Sequence, residues 1–233
     1  RVFDLDLLNS KNYEKLEKSY DYVFFLAAVV GVSKANEDAD EVIKINTHLT
    51  MGALDWLKKI ACKKVVFSST SENYAGAIQN NYYDVPTDEN VPLVIDDIAH
   101  PRFSYAVTKI LGEAAFINYS RKGYFSSSIV RYHNVYGPDM GFRHVLPNLC
   151  ERFIKKESPF KIYGHNQTRS FNFIDDAVEG TLLAAEKGLN MDVYHIGDDK
   201  EITIEELTKF VGKLFDYEGN YIFEHTFPGS VSR

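Results

Sequence analysis

Three clusters in the sequence combine residue types that do chemistry. The first is Ser68-Ser69-Thr70-Ser71-Glu72, a run of hydroxyls ending in a carboxylate, directly after the apolar segment Lys64-Val65-Val66-Phe67. Such hydroxyls either hydrogen-bond a ligand oxygen or close a strand-end turn, and the residues alone leave both readings open. The second is Ser104-Tyr105-Ala106-Val107-Thr108-Lys109. A spacing of four puts the phenol and the ammonium on one helical face. A neighbouring ammonium favours the phenolate, so the Tyr105 pKa is expected to fall from about 10 toward the range of a general base for a sugar or alcohol hydroxyl. In isolation the same pair is an ordinary helical coincidence. The third is Arg131-Tyr132-His133-Asn134-Val135-Tyr136-Gly137-Pro138, a strand that ends in polar groups and a Gly-Pro break. His133 has no nucleophile or metal ligand beside it and is not read as catalytic. Cys62 and Cys150 are the two cysteines, far apart and without histidines at ligand spacing, so neither a disulfide scaffold nor a metal site is expected.

The elements that must position these clusters follow from hydrophobic period. Residues 2–7 alternate like a strand or its end, and 11–19 form a polar helical stretch. Residues 22–28 make a continuous apolar run, as for a strand buried on both faces. Helical spacing covers 41–60, 64–67 is a short buried strand, and a loop rich in Asn, Asp and Pro follows from Ala75 to about Arg102. A helix over 104–121 and a strand over 128–131 complete an alternation that predicts right-handed crossovers and a doubly wound parallel sheet. Each cluster is then expected at the C-terminal end of a strand, where open α/β sheets bind ligands. Beyond Pro138 the spacing predicts a smaller α/β region. Its helices cover 145–156 and 175–187, its strands 160–163, 171–174 and 193–196, and a Thr203/Glu206 capping box opens a last helix through Leu214.

Composition narrows the function classes. The 233 residues carry a net charge of −7 with no Lys/Arg block, which argues against general nucleic-acid or anionic-membrane binding. The longest apolar run, from Val23 to Val32, is too short to span a bilayer, and no secretion signal opens the chain, so a cytoplasmic protein is expected.

The order and spacing of the clusters resemble the extended short-chain dehydrogenase/reductase family, in particular its NAD-dependent nucleotide-sugar epimerases, dehydratases and decarboxylases. The resemblance runs from Asp6 to Arg233. It rests on Leu26-Ala27-Ala28, Asn46, Thr70, Tyr105/Lys109, the Asn134-Val135-Tyr136-Gly137-Pro138 run, and Gln167-Thr168-Arg169-Ser170-Phe171-Asn172-Phe173-Ile174-Asp175-Asp176. It implies a Rossmann-type NAD-binding domain over 1–137 and a mainly substrate-binding region over 138–233, with 171–196 returning to the sheet. Tyr105 would take the proton of the sugar 4-hydroxyl while C4 gives hydride to NAD⁺. Lys109 would hold the nicotinamide ribose and lower the Tyr105 pKa, Thr70 would bind the same sugar oxygen, and Asn46 would support Lys109 through a water. Asp6 and Leu7 match the adenine contact, and Leu26, Ala27, Ala28, Ser68, Ser69 and the His133 backbone fall at other cofactor positions. Ser71, Asn134, His144, Val145, Tyr163, Arg169 and Arg233 fall around the nucleotide diphosphate sugar, and a guanidinium fork makes Arg169 the best phosphate candidate. A homodimer is implied as well.

Glu72 completes a Thr-Ser-Glu triplet like that of GDP-mannose-type dehydratases and UDP-glucuronate decarboxylases, although a solvated turn carboxylate reads the same. The chain departs from the family pattern at Phe25, where a His is usual, and at Asn73-Tyr74-Ala75-Gly76. The Tyr- and Asn-rich stretch 78–97 is expected to form a substrate-side lid. No Gly-x-Gly or Gly-x-x-Gly occurs among the 14 glycines, so the pyrophosphate-binding turn is absent from this sequence. By resemblance about 60 residues of the first strand-helix-strand units are expected ahead of Arg1. The leading expectation is a nucleotide-sugar epimerase/dehydratase. A UDP-glucuronate-type decarboxylase and a non-catalytic NAD-binding regulatory protein are the alternatives.

Overall fold

The computed structural model describes residues 2–142 and 144–224. In chain order the strands are β1 (Ser19–Phe25), β2 (Ala61–Thr70), β3 (Ser126–Tyr132), β4 (Asn134–Tyr136), β5 (Phe160–Tyr163), β6 (Thr168–Arg169), β7 (Phe171–Phe173), β8 (Asp192–Ile196), β9 (Ile202–Thr203) and β10 (Tyr221–Glu224). The helices are α1 (Val32–Glu37), α2 (Ala39–Leu57), α3 (Ala75–Gln79), α4 (Ser104–Arg121), α5 (Val145–Ile154), α6 (Ile174–Glu186) and α7 (Ile204–Leu214). The central sheet runs β1-β2-β3-β8, every neighbouring pair parallel. Short pairs β4–β7, β5–β10 and β6–β9 lie outside it.

A parallel sheet needs cover on both faces, and the side-chain alternation of β2 shows how it is achieved. Val65 and Phe67 point into a core shared with Leu49, Ala53, Leu54 and Leu57 of α2 and Phe116 of α4. Val66, between them, packs with Val130 and with Ala177, Ala184 and Ala185 of α6 on the opposite face. Phe67 and Phe116 stack at 4.7 Å between centroids, with Phe25 against both rings. Gly112 makes this possible: a Cβ there would fall 2.2 Å from Phe67 Cζ, so only a glycine lets α4 lie so close to β2. A third core joins α5 and α7 over β5 through Leu149, Phe153, Phe160, Ile162, Leu207 and Val211. Thr203 and Glu206 form the expected capping box of α7. The fold is therefore a doubly wound Rossmann-type sheet with a smaller C-terminal α/β region.

Two expectations fail near the beginning of the described chain. Residues 2–7 form no strand; Asp6 instead accepts Leu8 N–H at 3.0 Å and starts a turn. Residues 11–19 hold only a 3₁₀ turn, Ser10–Lys15, closed by Asn9 accepting from Lys11 N–H, and β1 already begins at Ser19. Short polar side chains that bond their own backbone compete with helix and strand, which alternation alone does not reveal. Among the described residues no helix is long and apolar enough to cross a membrane.

Candidate active site

The site is built where β2 hands over to α4. The Thr70 hydroxyl, at the end of β2, accepts Glu72 N–H at 3.2 Å and starts the 3₁₀ turn Ser71–Tyr74. A second 3₁₀ turn, Pro101–Phe103, leads into α4, whose first turn carries Tyr105 and whose second carries Lys109. Lys109 is buried and donates to Ser68 O at 2.6 Å and to Ser68 Oγ at 3.3 Å. Its nitrogen lies 5.6 Å from the centre of the Tyr105 ring. Burial lowers the Lys109 pKa to about 8. Tyr105 shifts the opposite way from the expectation. Burial, and then the Glu72 carboxylate, push its pKa above the ordinary phenol value. Desolvation sets the direction, and the ammonium is turned to Ser68.

Beside this pair opens a cavity of about 480 Å³. Ser71, Glu72, His133, Asn134 and Arg169 line it, so the structure brings these expected substrate and cofactor residues together. Arg102, which sequence reasoning missed, lines it too; it is 9% exposed, with Nη2 3.5 Å from Glu72 Oε1. Burial raises the Glu72 pKa, while Arg102 and then Arg169 pull it down. Arg169 donates to Thr168 O at 2.6 Å, and Asn134 Nδ2 donates to Ser170 O at 2.9 Å. His133 presents its ring rather than only its backbone. Nε2 lies 2.9 Å from Tyr74 Oη, and burial lowers its pKa. Gly197 leaves room for that imidazole, since a Cβ there would fall 2.4 Å from the ring. The stretch 78–97 is a built wall: Ile78, Val91 and their neighbours have their own small core with Tyr74 and Ala77, and Val85 to Glu89 line the cavity.

The expected cofactor residues fall in two groups. Leu7, Leu26 and Ala27 meet around an apolar recess of about 290 Å³ beside β1. Next to it, buried Asn46 accepts from Val29 N at 2.7 Å and donates to Val29 O at 3.1 Å, which fixes the segment 26–30 beyond the strand. Asn46 also donates to Thr108 Oγ1 at 3.3 Å, so its link to α4 is direct and runs to the neighbour of Lys109. Ala28 follows Ala27 on the same segment, half-buried. The exposed Asp6 carboxylate is engaged in its own turn. Ser68 anchors Lys109 and donates to Phe25 O at 3.0 Å. Ser69 turns away from the surface and donates to buried Glu113 Oε1 at 2.5 Å. These residues fit a dinucleotide: an ammonium has three donors, and Ser68 takes two of those of Lys109. An immobilised small-residue backbone and an apolar recess stand at the strand end before it.

Four expected substrate residues do not line the cavity: Thr70, which precedes the lining residue Ser71, and His144, Val145 and Tyr163; Tyr105 and Lys109 do not line it either. His144 is exposed at the start of α5, Val145 packs on the C-terminal core, and Tyr163 is on β5 with Arg152 5.9 Å from its ring. Arg233 lies outside the described residues. His195 and Glu89 were also missed by sequence reasoning, and both line the cavity.

Comparison with known proteins agrees with the fold. The chain is 30% identical to a UDP-N-acetyl-alpha-D-glucosaminuronate decarboxylase of Bacillus cytotoxicus, over 97% of this chain and 70% of that protein. Its fold is similar to a UDP-glucose 4-epimerase of Thermotoga maritima solved with UDP-glucose, at TM-score 0.85, 27% identity, and coverage of 99% of this chain and 73% of that one. It is similar as well to a UDP-glucuronic acid 4-epimerase of Bacillus cereus solved with UDP-glucuronic acid and NAD, at TM-score 0.80, 26% identity, and coverage of 98% and 69%. A family model described as NAD dependent epimerase/dehydratase matches residues 1–197. The chain belongs to that family of NAD-dependent enzymes.

Proposed function

We propose that this protein oxidises the C4 hydroxyl of a nucleotide diphosphate sugar as the opening step of an epimerisation or dehydration. The observation that carries the reading is the placement of Tyr105 and Lys109 on adjacent turns of α4, whose cap Phe103 lines the cavity together with Ser71, the residue after Thr70. NAD, when bound, supplies the hydride acceptor. Tyr105 takes the hydroxyl proton, Thr70 hydrogen-bonds the same oxygen, and Lys109 turns its remaining donor to the cofactor ribose. Arg169 and Asn134 hold the nucleotide diphosphate side. In this reading residues 1–137 carry the dinucleotide and 138–233 mainly the sugar nucleotide, with 171–196 completing the sheet. Homodimer formation through α2 and α4 belongs to the same reading and is supported by exposed Ile43, Met51 and Leu111 on those helices. A cytoplasmic site of action is supported by two free cysteines.

A second reading, decarboxylation of a sugar uronate, is favoured by two guanidiniums, Arg102 and Arg169, that act on a single carboxylate, Glu72, at the cavity, a setting in which a guanidinium can pair with a second carboxylate. Both readings are tested by incubation with NAD⁺ and a panel of neutral and uronic nucleotide sugars. Inverted C4 or a 4-keto product selects epimerase or dehydratase; carbon dioxide and a pentose select decarboxylase. NAD binding with no conversion of any sugar favours the non-catalytic alternative and rejects both.

A further inference from the structure

The C-terminal end of the sheet holds a second polar centre, around Arg131 and His195, that the proton transfer does not use. Arg131, at 4% exposure on β3, donates from Nε and Nη2 to the two carboxylate oxygens of Glu113 at 2.9 and 2.7 Å. Ser69 Oγ and Asn73 Nδ2 donate to the same Glu113, so the guanidinium is held rigidly from behind. Its remaining nitrogen reaches the other way. Arg131 Nη1 donates to Glu89 O at 3.2 Å and lies 3.3 Å from His195 Nε2. The other ring nitrogen of His195, Nδ1, lies 3.1 Å from Thr87 O. A guanidinium only donates and a carbonyl only accepts, so these contacts select one tautomer, protonated on Nδ1 and accepting at Nε2. His195 N–H donates in addition to Glu89 Oε1 at 3.1 Å.

These bonds fall on a segment with no helix or strand of its own, residues 81–100, from which Val85 to Glu89 form a wall of the cavity. On its other face the His195 ring stacks on Tyr74 at 5.0 Å between centroids, and Tyr74 Oη meets His133 Nε2. One imidazole therefore touches both the loop wall and the support of the cavity histidine.

We propose that His195 is a positioning residue, whose neutral ring, locked between Arg131 and Thr87, fixes the 85–89 wall and through Tyr74 the His133 ring, and so sets how tightly the cavity holds its nucleotide sugar. The inference rests on the reading of this cavity as the nucleotide-sugar site. Burial, and then Arg131, lower the His195 pKa, while Glu89 and Glu113 oppose them, which keeps the ring in the state that the contacts require.

The test compares His195→Phe, which keeps a ring against Tyr74 but has no donor or acceptor, with His195→Gln, which keeps one of each. Amide exchange over residues 84–91 is read on the ligand-free protein, and KM and kcat are read at saturating NAD⁺. His195→Phe should speed exchange in that segment and raise KM for the nucleotide sugar roughly 10-fold, with kcat within about threefold, the scale of one lost hydrogen bond. His195→Gln should restore most of both. Should His195→Phe fail to fold, Glu89→Ala removes the acceptor of His195 N–H from the loop side and should move exchange and KM in the same directions. Faster exchange with unchanged KM overturns the inference and leaves the substrate reading standing. A fall in kcat with KM unmoved, or His195→Gln no better than His195→Phe, overturns it too. Failure of the unsubstituted protein to turn over any nucleotide sugar overturns both.

Discussion

Lys109 gives its ammonium to Ser68, with Nζ 2.6 Å from the carbonyl oxygen and 3.3 Å from Oγ, while the Tyr105 ring centre stands 5.6 Å from the same nitrogen. The ammonium is therefore tied to the end of β2. With Glu72 also raising the Tyr105 pKa, the ligand-free chain keeps the phenol protonated at neutral pH. The proposed base is one that the bound ligands must help to generate, and the Glu72 charge is a lever that the protein itself holds on it.

Tyr105→Phe should lower kcat by roughly 10²- to 10⁴-fold, because it deletes the base and keeps the ring. The melting temperature should move little, since the packed surface is conserved. Steady-state turnover of whichever nucleotide sugar is accepted, with a thermal melt of the same preparation, checks both. Turnover within tenfold of the unsubstituted protein would remove Tyr105 from the proton transfer.

Glu72→Gln should shift the acid limb of the kcat/KM profile to lower pH. The carboxylate raises the Tyr105 pKa, so a neutral isostere lowers it and lets the phenolate form earlier. The position of the limb is the readout and the height of the plateau is not, because Glu72 lines the cavity and can affect binding as well. A limb displaced to higher pH contradicts the charge coupling.

The parts of this site that were legible in the sequence are those set by local spacing. The bounds of α4 follow from residues 104–121, and the Tyr105–Lys109 offset follows from helix geometry. The acceptor of Lys109 is 41 positions away, and Arg102 meets Glu72 across 30 positions, so neither contact leaves a mark on the local pattern. His195 is an extreme case, with its ring bonded to a carbonyl 108 positions earlier. The expected direction of the Tyr105 shift failed for the same reason: spacing conveys the nearby charge and says nothing of the desolvation imposed by distant chain.

Gly112→Ala tests how closely α4 must approach β2. Alanine favours helix over glycine by about 1 kcal/mol. Against that, the new methyl meets Phe67 Cζ at 2.2 Å, and Phe67 cannot yield because Phe25 and Phe116 stack on it. Overpacking of a close-packed core costs about 1–3 kcal/mol, and so short a contact belongs at the upper end. A net loss of about 1–2 kcal/mol is expected in chemical denaturation. A stabilised variant would mean that α4 can shift away from the sheet without penalty.

The depressed Lys109 pKa makes a prediction about stability in alkaline solution. Folded Lys109 titrates near 8, and an unfolded lysine titrates near 10.4. Between these values the unfolded chain binds more protons than the folded one, so stability rises with pH there; below about 8 both states are charged and this contribution is flat. Tyrosines and other lysines titrate in the same window, so the useful quantity is a difference between two proteins. Lys109→Met keeps the length and apolar stem of the side chain without the charge. Relative to it, the unsubstituted protein should gain stability from pH 8 to 10.4, by at most on the order of 3 kcal/mol, and show no relative change from pH 6.5 to 7.5. Denaturant titrations of both proteins across that range supply the measurement. A constant difference up to pH 10 would mean that the Ser68 oxygens stabilise the ammonium as fully as water does, and that burial leaves its charge unperturbed.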